Sequence, residues 1–452
     1  MRQDLALCAD LYEFTMAEVY FRQKRTTCAT FDLFVRGLPR HRAYLVACGL
    51  TDVLDYVTRL QFARDDIAYL KDLRLFSPEF LRYVSGFRFC GDIWALPEGT
   101  IFFANEPVLR VTASLIEAQL IESFLLTTIN LQTMIASKAS RVVNAAHGKG
   151  VFDFSLRRTH GAEAGLKVAR ASYIAGCQGT SNVLAGKRYG IPVAGTMAHS
   201  FVMSFKTEMQ SFLAYCAAFP NKSILLVDTY DTKKGILNAL RLGEYLKGRR
   251  LTLAGIRLDS GDIVSLSKFA RQKFDAAGLE DVKIFASGNL DEFVICDLLE
   301  RGARVDHFGV GTHMGTCSDA PSLDVIYKLS EVTDRSGRFL PTMKLSFGKV
   351  TYPGRKQVFR VQNRLGRYIR DIVALEHEKI NGEALLVKVV DAGRMVYRSP
   401  SLGAIRSRLH MSLSRFSPAL KEIGEKYRYP VAVSPRLQRL RRRLVSQLKK
   451  RQ

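Results

Sequence analysis

Residues Ile191–Phe205 read IPVAGTMAHSFVMSF. The apolar run Ile191–Ala194 predicts a short buried strand, and Gly195-Thr196 ends it. His199 and Ser200 follow at once, and the apolar residues after them can start a helix. Polar, reactive groups at the C-terminal end of a buried strand are where parallel α/β barrels put their chemistry. A lone histidine serves structural roles more often than catalytic ones, so repetition of the same punctuation decides the matter.

The punctuation repeats. Val151–Leu156 reads as a strand followed by Arg157-Arg158-Thr159-His160-Gly161 and a helix through Tyr173. Ile224–Val227 ends in Asp228-Thr229-Tyr230-Asp231-Thr232, and Leu253–Ile256 in Arg257-Leu258-Asp259-Ser260-Gly261-Asp262. Lys283–Ala286 ends in Ser287-Gly288-Asn289, and His307–Val310 in Gly311-Thr312. Counting Ile191–Ala194, six strand–turn–helix units recur, which predicts an irregular, incomplete parallel α/β barrel. Residues 136–335 carry it. Residues 1–135 read as an N-terminal α/β domain with an antiparallel component. It has a strand at Phe31–Val35, helical patterns over Leu50–Leu73 and Pro78–Val84, and a long helix over Leu115–Ser140. Residues 336–452 form a mixed C-terminal segment, with a Gly/Pro/Lys-rich loop at Phe347–Lys356 and a basic terminal helix.

The chain has 452 residues, 47% apolar and 24% charged, enough for a large core. No apolar run reaches the ~18 residues of a membrane span, and the N-terminus lacks a secretory h-region. Eight scattered cysteines without a CxxC pair fit reduced thiols in a cytoplasmic protein. The net charge is +24. Part of it lies in PRLQRLRRRLVSQLKKRQ, Pro435–Gln452, where leucines recur at three- and four-residue spacing. That stretch reads as a docked amphipathic helix with a solvated basic face. A nucleic-acid or membrane patch is the other reading. The remaining charge excess suits a site that holds several phosphates.

Glycine lets backbone N–H groups approach an anion closely, and the loops after the last strands of α/β barrels often hold phosphate. Ser287-Gly288 and Gly311-Thr312 are therefore candidate phosphate loops. Arg257 and Asp259 flank one leucine and point to the same side of a strand end. The guanidinium can take a carboxylate by two hydrogen bonds, and the carboxylate beside it can hold a ribose diol; a mutual salt bridge is the plain alternative. Arg157 and Arg158 add a cationic rim. His160, His307 and His313 also fall at predicted strand ends, but no HxH or HExxH pair accompanies them, so a metal-hydrolase barrel is disfavoured. A histidine beside phosphate loops can instead take a phosphoryl group.

DLYEFTM at Asp10–Met16, FDLFVRGLP at Phe31–Pro39, EPVLRV at Glu106–Val111 and LRRTHG at Leu156–Gly161 resemble the nicotinate phosphoribosyltransferase family. So do GTSNVLAGKRYGIPVAGTMAHSFVMSF at Gly179–Phe205, VDTYDT at Val227–Thr232, GIRLDSGD at Gly255–Asp262 and FGVGT at Phe308–Thr312. YPGRKQVFR at Tyr352–Arg360 and YPVAVSP at Tyr429–Pro435 complete the set. The resemblance implies a type II phosphoribosyltransferase fold, with an N-terminal α/β domain, an irregular barrel, and a C-terminal segment packing back on both. It implies a homodimer with shared active sites. The implied reaction joins nicotinate to phosphoribosyl pyrophosphate, giving nicotinate mononucleotide and pyrophosphate for NAD biosynthesis, with ATP hydrolysed alongside. His199 matches the histidine that ATP phosphorylates. Tyr12, Thr196 and Arg257 match nicotinate-contacting positions, and Thr312 a position that binds the phosphoribosyl substrate. Arg157, Ser200, Asp259, Ser287, Gly288 and Gly311 join the candidate set from their places at strand ends. Mg2+ would ride on the pyrophosphate with few direct protein ligands.

Two departures stand out. Ala9 replaces a frequent threonine before DLY, and Phe347 replaces a frequent glutamate before GKVTYPG. Nicotinamide or another base is the nearest rival substrate; Arg257 opposes nicotinamide, which brings no charge to pair with a guanidinium. A basic nucleic-acid-binding protein on a degenerate scaffold is the rival of another class, and no membrane role is expected.

Overall fold

The computed structural model describes residues 5–23, 27–345, 351–424 and 427–450. Phe347 lies outside them. The chain forms two compact units. One comprises Met1–Met134, Ser322–Leu420 and Tyr427–Gln452, and the other Ile135–Pro321 and Lys421–Lys426.

The second unit is a six-stranded parallel sheet with helices between the strands. Its strands are Gly150–Asp153 (β1), Gly179–Thr180 (β2), Ile224–Leu226 (β3), Gly255–Leu258 (β4), Lys283–Ala286 (β5) and His307–Val310 (β6). Their order is β2-β1-β6-β5-β4-β3. Apart from β2 and β3, neighbours in sequence are neighbours in the sheet, and the first strand pairs the last. That is the cyclic order of an α/β barrel cut at one seam, between β2 and β3, where no pairing occurs among the described residues. Leu225, Leu226, Ile256, Leu258, Ile284, Phe308 and Val310 are all fully buried. Near-continuous apolar strands are what a parallel sheet covered on both faces requires.

The polar turns after these strands also start helices. Asp231, Asp262 and Asp291 accept backbone N–H bonds in the first turns of Thr232–Gly248, Ile263–Ala276 and Glu292–Glu300. Each satisfies a donor that a helix start would otherwise leave unpaired.

The first unit carries a seven-stranded antiparallel sheet. Its order runs Phe339–Pro341, Val325–Thr333, Cys28–Val35, Pro107–Ser114, Asp92–Ala95, Val387–Asp391 and Arg394–Met395. The C-terminal part of the chain thus supplies strands to a sheet begun near the N-terminus. Several motif residues work inside this unit. Lys356 reaches Asp32 at 2.7 Å, Arg110 reaches Glu376 at 2.7 Å, and Arg360 grips the buried Asp371 with Nε and Nη2. Glu106 is fully buried; desolvation and the nearby Asp371 raise its carboxyl well above the usual range. The terminal helix, Pro435–Lys449, buries Leu437 against Val373 and Leu375, while its arginines face outward or lie half-buried.

Three sequence expectations change. Ile191–Ala194 is not a strand but a single parallel bridge, Val193 to Thr180. Pro192 has no N–H to give a ladder, and Val193 is half exposed. The strand expected over Val151–Leu156 ends at Asp153. The Asp153 carboxylate accepts from the Ser155 amide at 3.0 Å and hydroxyl at 2.5 Å, which turns the chain into the short 3-10 helix Leu156–Arg158. The helix expected over Leu115–Ser140 is two, Leu115–Leu120 and Glu122–Ala145. All eight cysteines are free, and no described helix is long and apolar enough to cross a membrane.

Candidate active site

Parallel strands in register bring their C-terminal ends to one edge of the sheet, and polar loops leave from there. Arg257, on β4, is the hub. Its Nη1 donates to the Thr196 hydroxyl at 2.6 Å and to the Met197 carbonyl at 3.2 Å. Its Nη2 lies 3.5 Å from Asp259 Oδ1, and the side chain is 13% exposed. Nε is buried without a partner. Burial, with a smaller contribution from Arg157, lowers the guanidinium's pKa, while Asp259 and Asp228 oppose the shift. One side of the fork is therefore anchored. The Nε–Nη2 edge keeps the geometry that takes a planar carboxylate by two bonds.

Asp259 links to the next loop, since Ser287 donates its hydroxyl to Asp259 Oδ1. Gly288 stands at φ +91°, and a Cβ there would sit 2.0 Å from the Asp259 carbonyl oxygen. Only glycine permits that approach. Asp228, at the end of β3, accepts from the Asp259 amide at 3.1 Å and the Ser260 hydroxyl at 2.6 Å. Its Oδ1 is buried without a donor.

His199 opens the short helix His199–Met203, half-buried, and its Nδ1 lies 3.2 Å from the Thr229 hydroxyl. Ser200 beside it is exposed. On the far side of the sheet, β1 pairs β6, so the loop carrying Arg157 adjoins the one carrying Gly311 and Thr312. A Cβ on Gly315 would fall 2.2 Å from that of Ser155. Arg157 and Thr312 are both exposed. Asp153 is held beneath them by Ser155 and Thr180, and burial raises its pKa.

Arg257 thus sits at the end of β4, and Arg157, Asp259, Ser287, Gly288, Gly311 and Thr312 lie in the connections that leave β1, β4, β5 and β6, while Thr196, His199 and Ser200 follow the Val193 bridge and Thr196 reaches Arg257. Tyr12 belongs to the first unit, on the helix Leu11–Arg22. It is 44% exposed, and its hydroxyl is tied to Glu122, which with burial raises its pKa. Next to it, burial pushes the Glu13 carboxyl up to about 7, against donors from Ser123. Asp228 and Thr229 were passed over as site residues in the sequence, although both lie in VDTYDT; nothing local distinguishes them from the capping Asp231. His307 is misplaced by the strand-end expectation. It begins β6, at the opposite edge, against Phe152 and Phe285. Burial lowers its pKa. No group of three or more His, Cys, Asp or Glu among the described residues is placed to hold a metal ion.

Three family models cover most of the chain. The nicotinate phosphoribosyltransferase N-terminal domain matches residues 7–130, the nicotinate phosphoribosyltransferase family residues 150–335, and its C-terminal domain residues 379–441. A nicotinate phosphoribosyltransferase of Mycobacterium tuberculosis is 47% identical over 96% of this chain and 92% of its own. One of Bacillus subtilis is 37% identical over 95% and 93%. The crystal structure of human nicotinic acid phosphoribosyltransferase superposes with a TM-score of 0.86 at 29% identity, covering 96% of this chain and 99% of that one.

Proposed function

The chain belongs to the nicotinate phosphoribosyltransferase family and is an enzyme of that type, acting in NAD biosynthesis; from that premise we propose how its residues divide the work. Nicotinate and phosphoribosyl pyrophosphate are the substrates. The ring nitrogen of nicotinate attacks the anomeric carbon, the carbon–oxygen bond to pyrophosphate breaks, and nicotinate mononucleotide and pyrophosphate leave. The observation that carries the reading is Arg257. A buried guanidinium anchored on one side by Thr196 and Met197, with its Nε unpaired, calls for an anionic, planar partner. The carboxylate of nicotinate is one, and the amide of nicotinamide is not.

Tyr12, by its match to a nicotinate-contacting position of the family, is assigned to the pyridine ring. Asp259 takes the ribose diol, and Ser287, Gly288, Gly311 and Thr312 cradle phosphate with Arg157 at the rim. His199, with Ser200 beside it, accepts the γ-phosphoryl group of ATP as ADP departs, and Thr229 orients its ring. Formation and hydrolysis of that phosphohistidine then favour one state of the site over another. Magnesium, when bound on pyrophosphate, neutralises charge on the leaving group. Asp228, with its unpaired buried Oδ1, is the carboxylate here that fits a contact to the ion's water shell. The enzyme works as a cytoplasmic homodimer with shared active sites.

The test is direct. Purified protein is incubated with radiolabelled nicotinate and phosphoribosyl pyrophosphate, with and without ATP. Labelled mononucleotide, formed faster with ATP, is expected. Turnover of nicotinamide in preference to nicotinate would reject the assignment of Arg257.

A further inference from the structure

Outside the site, the second unit holds a compact group of four charges, three of them buried and the fourth, Asp319, at the rim. Lys138 and Arg141 come from the helix Glu122–Ala145, Glu292 from the first turn of Glu292–Glu300, and Asp319 from the loop after β6. Lys138 Nζ lies 2.5 Å from Glu292 Oε2 and 3.0 Å from Asp319 Oδ1. Arg141 Nε holds the other oxygen of Glu292 at 3.1 Å, and its Nη2 donates to the Ile423 carbonyl at 3.1 Å. Lys138 and Glu292 side chains are 1% and 0% exposed.

The two carboxylates that Lys138 joins belong to the connections after β5 and β6. Glu292 closes the loop that starts with Ser287 and Gly288 after β5. Asp319 lies just past the one-turn helix Thr312–Gly315, in the connection that starts with Gly311 and Thr312 after β6. Outside the one-turn helix Thr312–Gly315, neither connection is regular. Asn289 and Cys317, within them, both have left-handed backbones, at φ +48° each, so their shape needs outside support. Stability alone is a poor reason for such a cluster. Lys138, Arg141 and Glu292 lose their hydration where they are buried together, and an apolar replacement of such a group is often neutral or better. What a shared cation supplies is a fixed spacing between the groups it joins.

We propose that Lys138 is a positioning residue for the phosphoribosyl substrate: its ammonium clamps the two phosphate loops at a set separation from beneath. The inference rests on the reading of Ser287–Gly288 and Gly311–Thr312 as the phosphate cradle. Its substrate class is a phosphorylated sugar, and Lys138 itself touches none of it. A loosened clamp misplaces the donors by a fraction of an ångström and weakens phosphate binding before it affects the nicotinate end.

Steady-state kinetics of Lys138→Met, Lys138→Arg and Asp319→Asn test it, with Thr312→Val as the control. Asp319→Asn is the mild variant, since Asp319 is partly exposed and keeps its shape, and it serves if Lys138→Met does not fold. The expected result is an apparent KM for phosphoribosyl pyrophosphate raised about tenfold in Asp319→Asn and Lys138→Met. The nicotinate KM should stay within about twofold of wild type, and Lys138→Arg should recover part of the loss. An unchanged phosphoribosyl pyrophosphate KM in Asp319→Asn, or equal rises in both KM values, overturns the proposal. If Thr312→Val raises that KM while Asp319→Asn does not, the clamp is wrong and the phosphate cradle stands. If neither raises it, the cradle itself is wrong and the clamp falls with it.

Discussion

Arg257 donates to the hydroxyl of Thr196, 61 positions earlier in the chain, at 2.6 Å. That bond fixes which edge of the guanidinium is spent and which remains. Lysine in its place keeps a charge but has no fork. Arg257→Lys should therefore raise the apparent KM for nicotinate at least about tenfold, and the preference for acid over amide should shrink. Initial rates against both bases measure this, and an unchanged KM removes Arg257 from the carboxylate site.

His199→Asn separates coupling from chemistry. Transfer to the pyridine nitrogen needs little acid–base help, because that nitrogen carries a lone pair and pyrophosphate is a good leaving group. The variant should lose ATP stimulation and any acid-labile phosphoenzyme. Slow, ATP-independent synthesis should remain, with a higher KM for phosphoribosyl pyrophosphate. Loss of all synthesis at saturating substrate, with the phosphoenzyme intact, would make His199 a group of the transfer step instead.

Glu13 gives a pH signature. Its carboxyl is fully buried beside Ser123 and titrates at about 7 in the fold, above its ordinary value of roughly 4.3. A folded pKa above the unfolded one means that the group's contribution is intact below the unfolded value and is lost as pH rises through the folded one. Unfolding free energy should fall with a slope of up to about 1.4 kcal/mol per pH unit between those two values. Glu13→Gln should flatten that part of the profile. Urea titrations at pH 5 to 8 read it, and an identical slope in the variant would exclude Glu13 as the source.

The terminal helix is expected to be structural. Leu437 is completely buried and Leu440 packs on the same cluster. Truncation after Pro435 should lower Tm by several degrees, in line with the loss of one or two buried leucines, and should increase dye binding to exposed apolar surface. Nucleic-acid binding by the intact protein should be weak and fall steeply with salt. Tight, sequence-selective binding in a mobility-shift assay would contradict this.

The parallel repeat was legible from the sequence alone because a covered parallel strand must be apolar throughout and must end in a polar turn. Ile224–Thr232 and Leu253–Asp262 show both signals within a few residues. The grouping of Arg257, Asp259 and Ser287 was legible for a related reason, since side chains at strand ends gather wherever parallel strands run in register. Local pattern could not show that Pro192 would reduce a strand to one bridge, or that Asp153 would turn its chain early. Those outcomes depend on which backbone partner lies alongside. Nor could it separate Asp231, which caps a helix, from Asp228 three residues before, which ties two loops together. Lys138 was the least legible of all. In sequence it is one lysine within an amphipathic helix, and its meaning comes from Glu292 and Asp319, more than 150 positions away, meeting it in a buried place where an unpaired charge would not survive.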